Sequence, residues 1–393
     1  MVLARRMGNL GSESAFTVLA RARELEAEGR EIIHLEIGEP DFDTPKHIRD
    51  AAVRALEQGY THYTPAPGLT EVRQSIAQHA GQRRGIDVDW RRVVVTPGAK
   101  PIMFFTIMAL AQRGTEVIYP DPGFPIYESM IRFCGAKPVP MPLLEENGYH
   151  PDLQHLANRI TDRTRLIILN SPNNPCGSVL AQDEVAAIAD MAKRWPNLYV
   201  LSDEVYKDIL YEGSHFSIAS LPDMADRTII LDGLSKSYAM TGWRLGYGVF
   251  PEPLTEHIIK LAVNSVSCAT AFSQLAIIEA LEGPQDDVAA MREEFRGRRQ
   301  VFVEGLRSVS GLRCSMPEGA FYAFTNITGT GLSSDEFEKR ALDEAGVALL
   351  SGAGFGRHGE GYVRFSYANS VENLQKAVAR LNTFVATLGH TND

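Results

Sequence analysis

Several common features are scarce in this sequence of 393 residues, and each absence excludes a class of protein. Its 4 cysteines are far apart and show neither CxxC pairing nor metal-ligand spacing, so neither a disulfide scaffold nor a metal site is expected. Basic residues are not in excess, because 39 Lys and Arg stand against 49 Asp and Glu and give a formal net charge of −10. A nucleic-acid or anionic-membrane partner is therefore not expected, since either would need a basic face.

Long apolar runs are missing as well. The least charged stretch, LAVNSVSCATAFSQLAIIEAL, is interrupted by Asn264, Gln274 and Glu279, so no membrane span is expected. The amino-terminal residues include arginines but not the apolar core of a signal peptide. With its cysteines expected to be reduced, the protein is predicted to be cytoplasmic.

The middle of the sequence alternates short β-branched runs with amphipathic stretches such as AQDEVAAIADMAKRW. The strand-like runs are RVVVTPG, EVIYPDPG, RLIILNSPNNP, LYVLSDEVY, TIILDGLSK and RLGYGVF. This alternation predicts an α/β fold with a mostly parallel, doubly wound sheet that binds its ligand at the carboxyl ends of the strands. A change of pattern near residue 285 predicts a large domain of residues 46–285 and a smaller α+β domain of residues 1–45 and 286–393.

Polar clusters follow several of these runs. In VTPGAKP, Gly98, Ala99 and Lys100 open a predicted helix, whose free backbone N–H groups favour an anion, although a plain strand-to-helix turn is the more common reason for such a glycine. Asn174 in NSPNNPCG suits a turn or a ligand contact. Asp203 in LSDEVYKD suits a helix N-cap or the partner of a cationic ring nitrogen.

Two basic residues lie in apolar surroundings. Lys236 in SKSYAMTGWRLGY has uncharged neighbours, and a buried ammonium must pair with an anion, lose its proton or become covalently bonded. Arg364 in GYVRFSYA suits bidentate capture of a carboxylate or a structural ion pair. The glycines of LLSGAGFGRHGEG do not predict a dinucleotide site, because the third comes one residue early and no helical pattern follows.

Taken in order, the motifs of the chain resemble those of the class I/II aminotransferases. The matching stretches are IGEPDF, YTPAPG, PGAK, PDPGFPIY, SPNNPCG, SDEVY, SKSYAMTGWRLGY, PEGAFYAF and VRFSYA. The likeness runs from about Ile32 to Ala368. It implies fold type I of the pyridoxal 5′-phosphate (PLP) dependent transferases, with a mostly parallel, seven-stranded type of sheet and a smaller α+β domain, similar to aspartate aminotransferase.

The resemblance also implies roles for individual residues. Lys236 matches the lysine that binds PLP covalently and, once an amino acid has displaced it, removes the α-proton of the substrate. Asp203 matches the carboxylate that keeps the ring nitrogen protonated, and Arg364 matches the arginine that binds the substrate α-carboxylate. Tyr206 and Asn174 match residues that contact the ring oxygen, and Phe124 matches the aromatic residue on the ring face. Gly38 and Asn174 match residues beside the substrate. The residues that match phosphate ligands are Gly98, Ala99, Lys100, Ser235 and Arg244.

Two further matches concern assembly and substrate. Tyr63 in THYTPAPG matches a tyrosine that reaches the phosphate of the neighbouring subunit, which implies a homodimer with shared sites. Lys100 matches a lysine that contacts the distal carboxylate of the substrate in some bacterial aspartate aminotransferases. The predicted substrates are therefore an L-amino acid, with aspartate or glutamate favoured, and a 2-oxo acid, which react by a ping-pong mechanism.

Alternatives stay open at this point. An aminotransferase for aromatic or other amino acids and a PLP-dependent C–S β-lyase need the same lysine, aspartate and arginine, so the motifs separate them poorly. A PLP-binding transcription regulator is disfavoured, because the residues before Ile32 are too few and not basic enough for a DNA-binding segment.

Overall fold

A computed structural model describes residues 3–388 of the chain. In chain order, the helices are α1 Ala15–Ala27, α2 Lys46–Glu57, α3 Thr70–Arg84, α4 Lys100–Leu110, α5 Ile126–Phe133, α6 Leu153–Arg159, α7 Gln182–Lys193, α8 Glu252–Val263, α9 Ala271–Glu282, α10 Asp286–Ser308, α11 Ser334–Arg340 and α12 Val371–Leu388. The strands are β1 Ile33–His34, β2 Val93–Thr96, β3 Glu116–Asp121, β4 Lys137–Pro142, β5 Thr164–Asn170, β6 Tyr199–Asp203, β7 Thr228–Gly233, β8 Gly246–Val249, β9 Arg313–Cys314, β10 Tyr322–Asn326, β11 Val347–Ala348, β12 Leu350–Ser351 and β13 Tyr362–Ser366.

The largest sheet within residues 3–388 has seven strands in the order β2–β8–β7–β6–β5–β3–β4. Strands β3 to β7 pair in parallel, whereas β8 is antiparallel to both of its neighbours. The prediction of a mostly parallel, seven-stranded type of sheet is confirmed. Strands β2, β3, β7 and β8 are buried along their whole length, as expected of a sheet that helices cover on both faces.

Strand β4 was not among the strands predicted from the sequence. Its residues, KPVPMP, include three prolines, which lack the N–H group that a central strand needs. Within residues 3–388, β4 lies at the edge of the sheet and pairs with β3 alone, so the other side of the strand does not have to donate hydrogen bonds to a neighbour. The proline content is therefore compatible with this position.

A second sheet has the order β12–β13–β10–β9 and is antiparallel throughout. It contains the predicted pair of PEGAFYAF and VRFSYA, in which Phe324 lies opposite Arg364. Helices α10 and α12 cover this sheet with apolar residues that include Phe302 and Leu381. The short strand β1 pairs in parallel with β11, with Ile33 opposite Val347, and so ties the amino-terminal segment to this part of the molecule.

The cysteines of the described residues are all free thiols. Cys176 and Cys314 are buried, while Cys134 and Cys268 are partly exposed. Among residues 3–388, no helix combines the length and the apolar character that crossing a bilayer requires.

Candidate active site

A cavity of about 1000 Å³ opens at the carboxyl ends of the parallel strands. Its walls come from the large sheet, the smaller sheet and the amino-terminal segment. The predicted residues that line it are Gly38, Ala99, Lys100, Phe124, Asn174, Asp203, Tyr206, Ser235, Lys236, Arg244 and Arg364. Residues that are far apart in the sequence are thus brought to one site, where parallel α/β sheets bind ligands.

The turn between β2 and α4 forms one end of the cavity. Gly98 has a φ of 83°, and a Cβ at this position would collide with the guanidinium of Arg244, so only glycine fits. Helix α4 begins directly after Ala99, which leaves the first N–H groups of the helix without helical partners. Together with Arg244 these groups form an anion site that suits a phosphate.

Lys236 lies just beyond β7, and its Nζ donates a hydrogen bond to the carbonyl oxygen of Gly38. Burial, reinforced by the nearby positive charge of Arg364, lowers the pKa of Lys236 to about 8. A lysine with this pKa is partly neutral near neutral pH, as a nucleophile or general base must be. The environment of Lys236 is therefore not that of a surface lysine.

Asp203 ends β6 at the bottom of the cavity. Its Oδ2 accepts a hydrogen bond of 2.5 Å from the hydroxyl of Tyr127, and its Oδ1 accepts one of 3.3 Å from the N–H of Val205. Burial raises the pKa of Asp203 to about 7, while both donors act in the opposite direction. A cation that reached this carboxylate would favour its ionised form, and a protonated ring nitrogen is such a partner.

Two buried tyrosines lie beside these groups. The hydroxyls of Tyr206 and Tyr322 are 2.8 Å apart, and burial raises the pKa of Tyr206 well above its usual value. A Cβ at Gly38 would collide with the hydroxyl of Tyr322, so glycine is required there. Tyr322 and Tyr127 were not predicted as site residues, although they lie in the matched stretches PEGAFYAF and PDPGFPIY.

Arg364 points from β13 into the same cavity and is 4% exposed. Its Nη1 donates to Oδ1 of Asn174 at 3.1 Å, and its Nη2 donates to the carbonyl oxygen of Glu36 at 2.6 Å. Its Nε is buried without a partner among the described residues. Both partners are neutral oxygens, and within residues 3–388 no acidic side chain forms an ion pair with Arg364, which leaves its guanidinium able to bind a carboxylate.

Lys100 and Tyr63 have surroundings that the sequence did not indicate. The Nζ of Lys100 forms an ion pair with Glu13 and lies 5.4 Å from the centre of the Phe124 ring. Tyr63 does not line the cavity of its own chain, and its side chain is 92% exposed. Glu13, like Tyr127 and Tyr322, is a cavity residue that sequence reasoning missed.

Comparison with known proteins identifies the family. Residues 30–381 match the model of the family "Aminotransferase class I and II". The chain therefore belongs to the class I and II aminotransferases, as the resemblance of its motifs implied. It is a PLP-dependent enzyme that moves an amino group between an L-amino acid and a 2-oxo acid.

Relatives and solved structures agree with this assignment. The chain is 42% identical over 354 residues to an aspartate aminotransferase of Pyrococcus horikoshii, covering 89% of this chain and 90% of that protein. It is 41% identical over 354 residues to the aromatic-amino-acid aminotransferase 2 of Thermococcus litoralis, with coverage of 89% and 90%. The solved aspartate aminotransferase of Thermus thermophilus with maleate superimposes with a TM-score of 0.93 at 36% identity, covering 98% of this chain and all of that one.

The residues of the cavity fit PLP. The turn at Gly98 and the guanidinium of Arg244 suit a phosphate group, because a larger residue at position 98 would fill the space between them. At the opposite end, the buried Asp203 carboxylate has hydrogen-bond donors but no cationic side chain bonded to it among the described residues. Between them, Lys236 offers an amine with a lowered pKa.

Proposed function

We propose that this enzyme transfers the amino group of an acidic L-amino acid, aspartate or glutamate, to a 2-oxo acid, and that it does so as a cytoplasmic homodimer. The observation that carries the proposal is the arrangement of Lys236, Asp203 and Arg364 around one cavity, with Lys100 at its rim. These residues supply an amine, an anion for a ring nitrogen and two cations for a dicarboxylate substrate.

Lys236 is proposed to hold the cofactor and then to act as the general base. Once the incoming amino acid has displaced it, the amine of Lys236 would be free to act as a general base that removes the α-proton of the substrate and carries it. Bound PLP supplies an electron sink for the charge that develops at the α-carbon. The lowered pKa of Lys236 keeps part of the amine unprotonated for this step.

The remaining residues are proposed to orient the cofactor. Asp203 holds the proton on the ring nitrogen, with Tyr127 fixing its carboxylate. Tyr206 and Asn174 donate to the ring oxygen, and Phe124 covers the ring face. The proposed phosphate ligands are Gly98, Ala99, Lys100, Ser235, Arg244 and, from the neighbouring subunit, Tyr63.

Arg364 is proposed to bind the α-carboxylate of the substrate, with Gly38 and Asn174 beside it. The unpartnered Nε and the neutral partners of the two Nη atoms support this role, because no acidic side chain within residues 3–388 is hydrogen-bonded to the guanidinium. Lys100 is proposed to reach the second carboxylate of an acidic substrate. The aspartate aminotransferases among the relatives support this preference.

Aromatic amino acids are a second candidate class of substrate. Phe16, Leu19, Met103 and Phe124 give the same cavity an apolar wall that would accept a phenyl side chain. A relative of Thermococcus litoralis that is named for aromatic amino acids supports this alternative.

The proposed homodimer rests on the exposed side chains of the large domain. Tyr63 is 92% exposed, and large apolar side chains are exposed at Val53, Leu56 and Val263 as well. A subunit interface that included these side chains would remove their apolar surface from water. We further propose that residues 46–285 form the large domain and that residues 1–45 with 286–393 form the small one.

The cofactor and reaction can be tested on the purified protein. Reduction with sodium borohydride followed by peptide mapping is expected to find PLP attached to Lys236, and Lys236→Ala is expected to prevent attachment. A screen of amino donors against 2-oxoglutarate then ranks aspartate, phenylalanine and other amino acids by kcat/KM. Labelling of another lysine would contradict the role of Lys236, and release of pyruvate and ammonia from cysteine without transamination would favour a β-lyase.

A further inference from the structure

The ion pair between Glu13 and Lys100 lies at the rim of the cavity. Glu13 precedes α1 and Lys100 begins α4, so 87 residues of sequence separate the two partners. The side chain of Glu13 is 20% exposed and that of Lys100 is 46% exposed. Both residues line the cavity that holds Lys236 and Arg364. The cation that is proposed to recognise an acidic substrate is therefore already bound to a carboxylate of the protein.

The charge of Glu13 also acts on the residues at the centre of the cavity. Burial is the main cause of the lowered pKa of Lys236 and of Arg364, and the Glu13 carboxylate acts in the opposite direction on both. Glu13 is thus close enough to influence the two groups that would contact the cofactor and the α-carboxylate. A dicarboxylate substrate would bring two further negative charges into this region.

The surroundings of the pair explain how it could serve two kinds of substrate. Partly exposed ion pairs contribute little net stability. Lys100 can therefore leave Glu13 and pair with a carboxylate of the substrate at little cost in free energy. With the pair intact, the charges of Glu13 and Lys100 cancel each other. Phe124, whose ring lies 5.4 Å from Lys100 Nζ, and Phe16 and Met103 then offer apolar surface to a neutral side chain.

We propose that Glu13 is a specificity-determining residue: it neutralises Lys100 when a neutral amino acid binds, and it must give up Lys100 when an acidic one binds. Glu13 thereby lowers the preference for aspartate and glutamate and makes neutral, apolar amino acids acceptable. This inference rests on the proposed function, because it takes Arg364 as the site of the α-carboxylate and Lys100 as the site of the distal one.

The test compares wild-type holoenzyme with Glu13→Gln, which keeps the size of the side chain and removes its charge. Isothermal titration calorimetry measures the binding of two unreactive probes, succinate with two carboxylates and 3-phenylpropionate with one. The variant is expected to bind succinate about tenfold more tightly, whereas the affinity for 3-phenylpropionate stays within about twofold. The ratio of kcat/KM for aspartate to that for phenylalanine is expected to rise by a similar factor.

Two variants serve as controls. Glu28→Gln, at the far end of α1, makes the same change in net charge on an exposed residue outside the cavity and is expected to leave both affinities unchanged. Lys100→Gln is expected to weaken succinate binding selectively. If Glu13→Gln changes the affinities for both probes equally, or leaves the affinity for succinate unchanged, the role of Glu13 is overturned but the proposed function is not. A wild-type holoenzyme that binds neither probe and reacts with no amino acid would overturn the proposed function and this inference together.

Discussion

The hydroxyl of Tyr127 and the carboxylate of Asp203 form a buried hydrogen bond of 2.5 Å between α5 and β6. Burial raises the pKa of Asp203 to about 7, and the hydrogen bond from Tyr127 is the first of the effects that oppose this rise. Tyr127 therefore helps to keep Asp203 ionised near neutral pH, although it carries no charge itself.

Replacing Tyr127 by phenylalanine is expected to raise the pKa of Asp203 further. Loss of a hydrogen bond to a charged group costs about 1.5 to 3 kcal/mol, so kcat at pH 7 is expected to fall by roughly tenfold or more and to recover partly at higher pH. The profile of kcat from pH 6 to pH 9 measures this shift. Tyr119→Phe, which removes the hydroxyl of another buried tyrosine, on strand β3, is the matched control. Identical profiles for the two variants would contradict the role of Tyr127.

Asp203→Asn keeps the shape of the side chain and an acceptor for Tyr127 but removes the negative charge. The phosphate end of the cavity is untouched, so we expect the variant to retain PLP. Turnover is expected to fall by about a hundredfold or more, because a pre-organised electrostatic partner is lost. Absorption spectroscopy measures the PLP content of the variant, and steady-state kinetics measure its turnover. Near-normal turnover with a full complement of PLP would mean that another group holds the proton on the ring nitrogen.

The buried Lys236 predicts a dependence of stability on pH in the cofactor-free protein. Its pKa is about 8 in the folded chain and 10.5 for an ordinary lysine, so folding disfavours the protonated form. This penalty lowers the free energy of unfolding by its full amount below pH 8, and it disappears as the pH rises towards 10.5. At about 1.4 kcal/mol per pKa unit it amounts to at most about 3.5 kcal/mol.

Lys236→Met removes this charge, and the variant is expected to be more stable than wild type at pH 7. Urea unfolding of both cofactor-free proteins at pH 7 and pH 10 measures the difference in the free energy of unfolding. This difference is expected to shrink at the higher pH. A constant difference would show that Lys236 is not destabilised as an ammonium in the folded chain.

A shared active site can be tested by complementation. If Tyr63 serves the neighbouring subunit, a dimer of one Lys236→Ala chain and one Tyr63→Ala chain contains one intact site and one doubly altered site. Random pairing of equal amounts then restores about a quarter of the wild-type sites. The two variants are unfolded, mixed and refolded together. The activity of the mixture is expected to exceed that of either variant refolded by itself. Simple averaging of the two activities would argue that each chain forms its own site.

The site residues that were easiest to predict from the sequence are charged residues whose neighbours in the chain are apolar. Lys236 and Arg364 each lie in apolar stretches, and Asp203 ends a buried strand, so these residues needed partners that the local sequence did not supply. The structure brings these three to one cavity. Their roles in binding and catalysis stay predictions until the variants have been measured.

Other features could not be read from the sequence because they depend on distant contacts. Glu13 lies in GSESAF, where nothing distinguishes it from a solvated glutamate, and its partner Lys100 is 87 residues away. The hydroxyls of Tyr127 and Tyr322 find their partners only through packing of separate elements. Strand β4 was missed because its prolines argue against a strand. Prolines are tolerated in an edge strand, but the order of the strands in the sheet must be known before a strand can be placed at the edge.

The parallel pairing of β1 with β11 has a consequence for synthesis on the ribosome. Lys236 and Asp203 emerge well before β11 and before Arg364, which is 328 residues from its partner Glu36. Contacts over such separations form late, because a long loop must close first. We therefore expect the strands of the large sheet that flank Lys236 to be translated before Arg364, the proposed ligand of the substrate α-carboxylate. Products that end before residue 347 lack Arg364 and are expected not to bind the α-carboxylate in the proposed way.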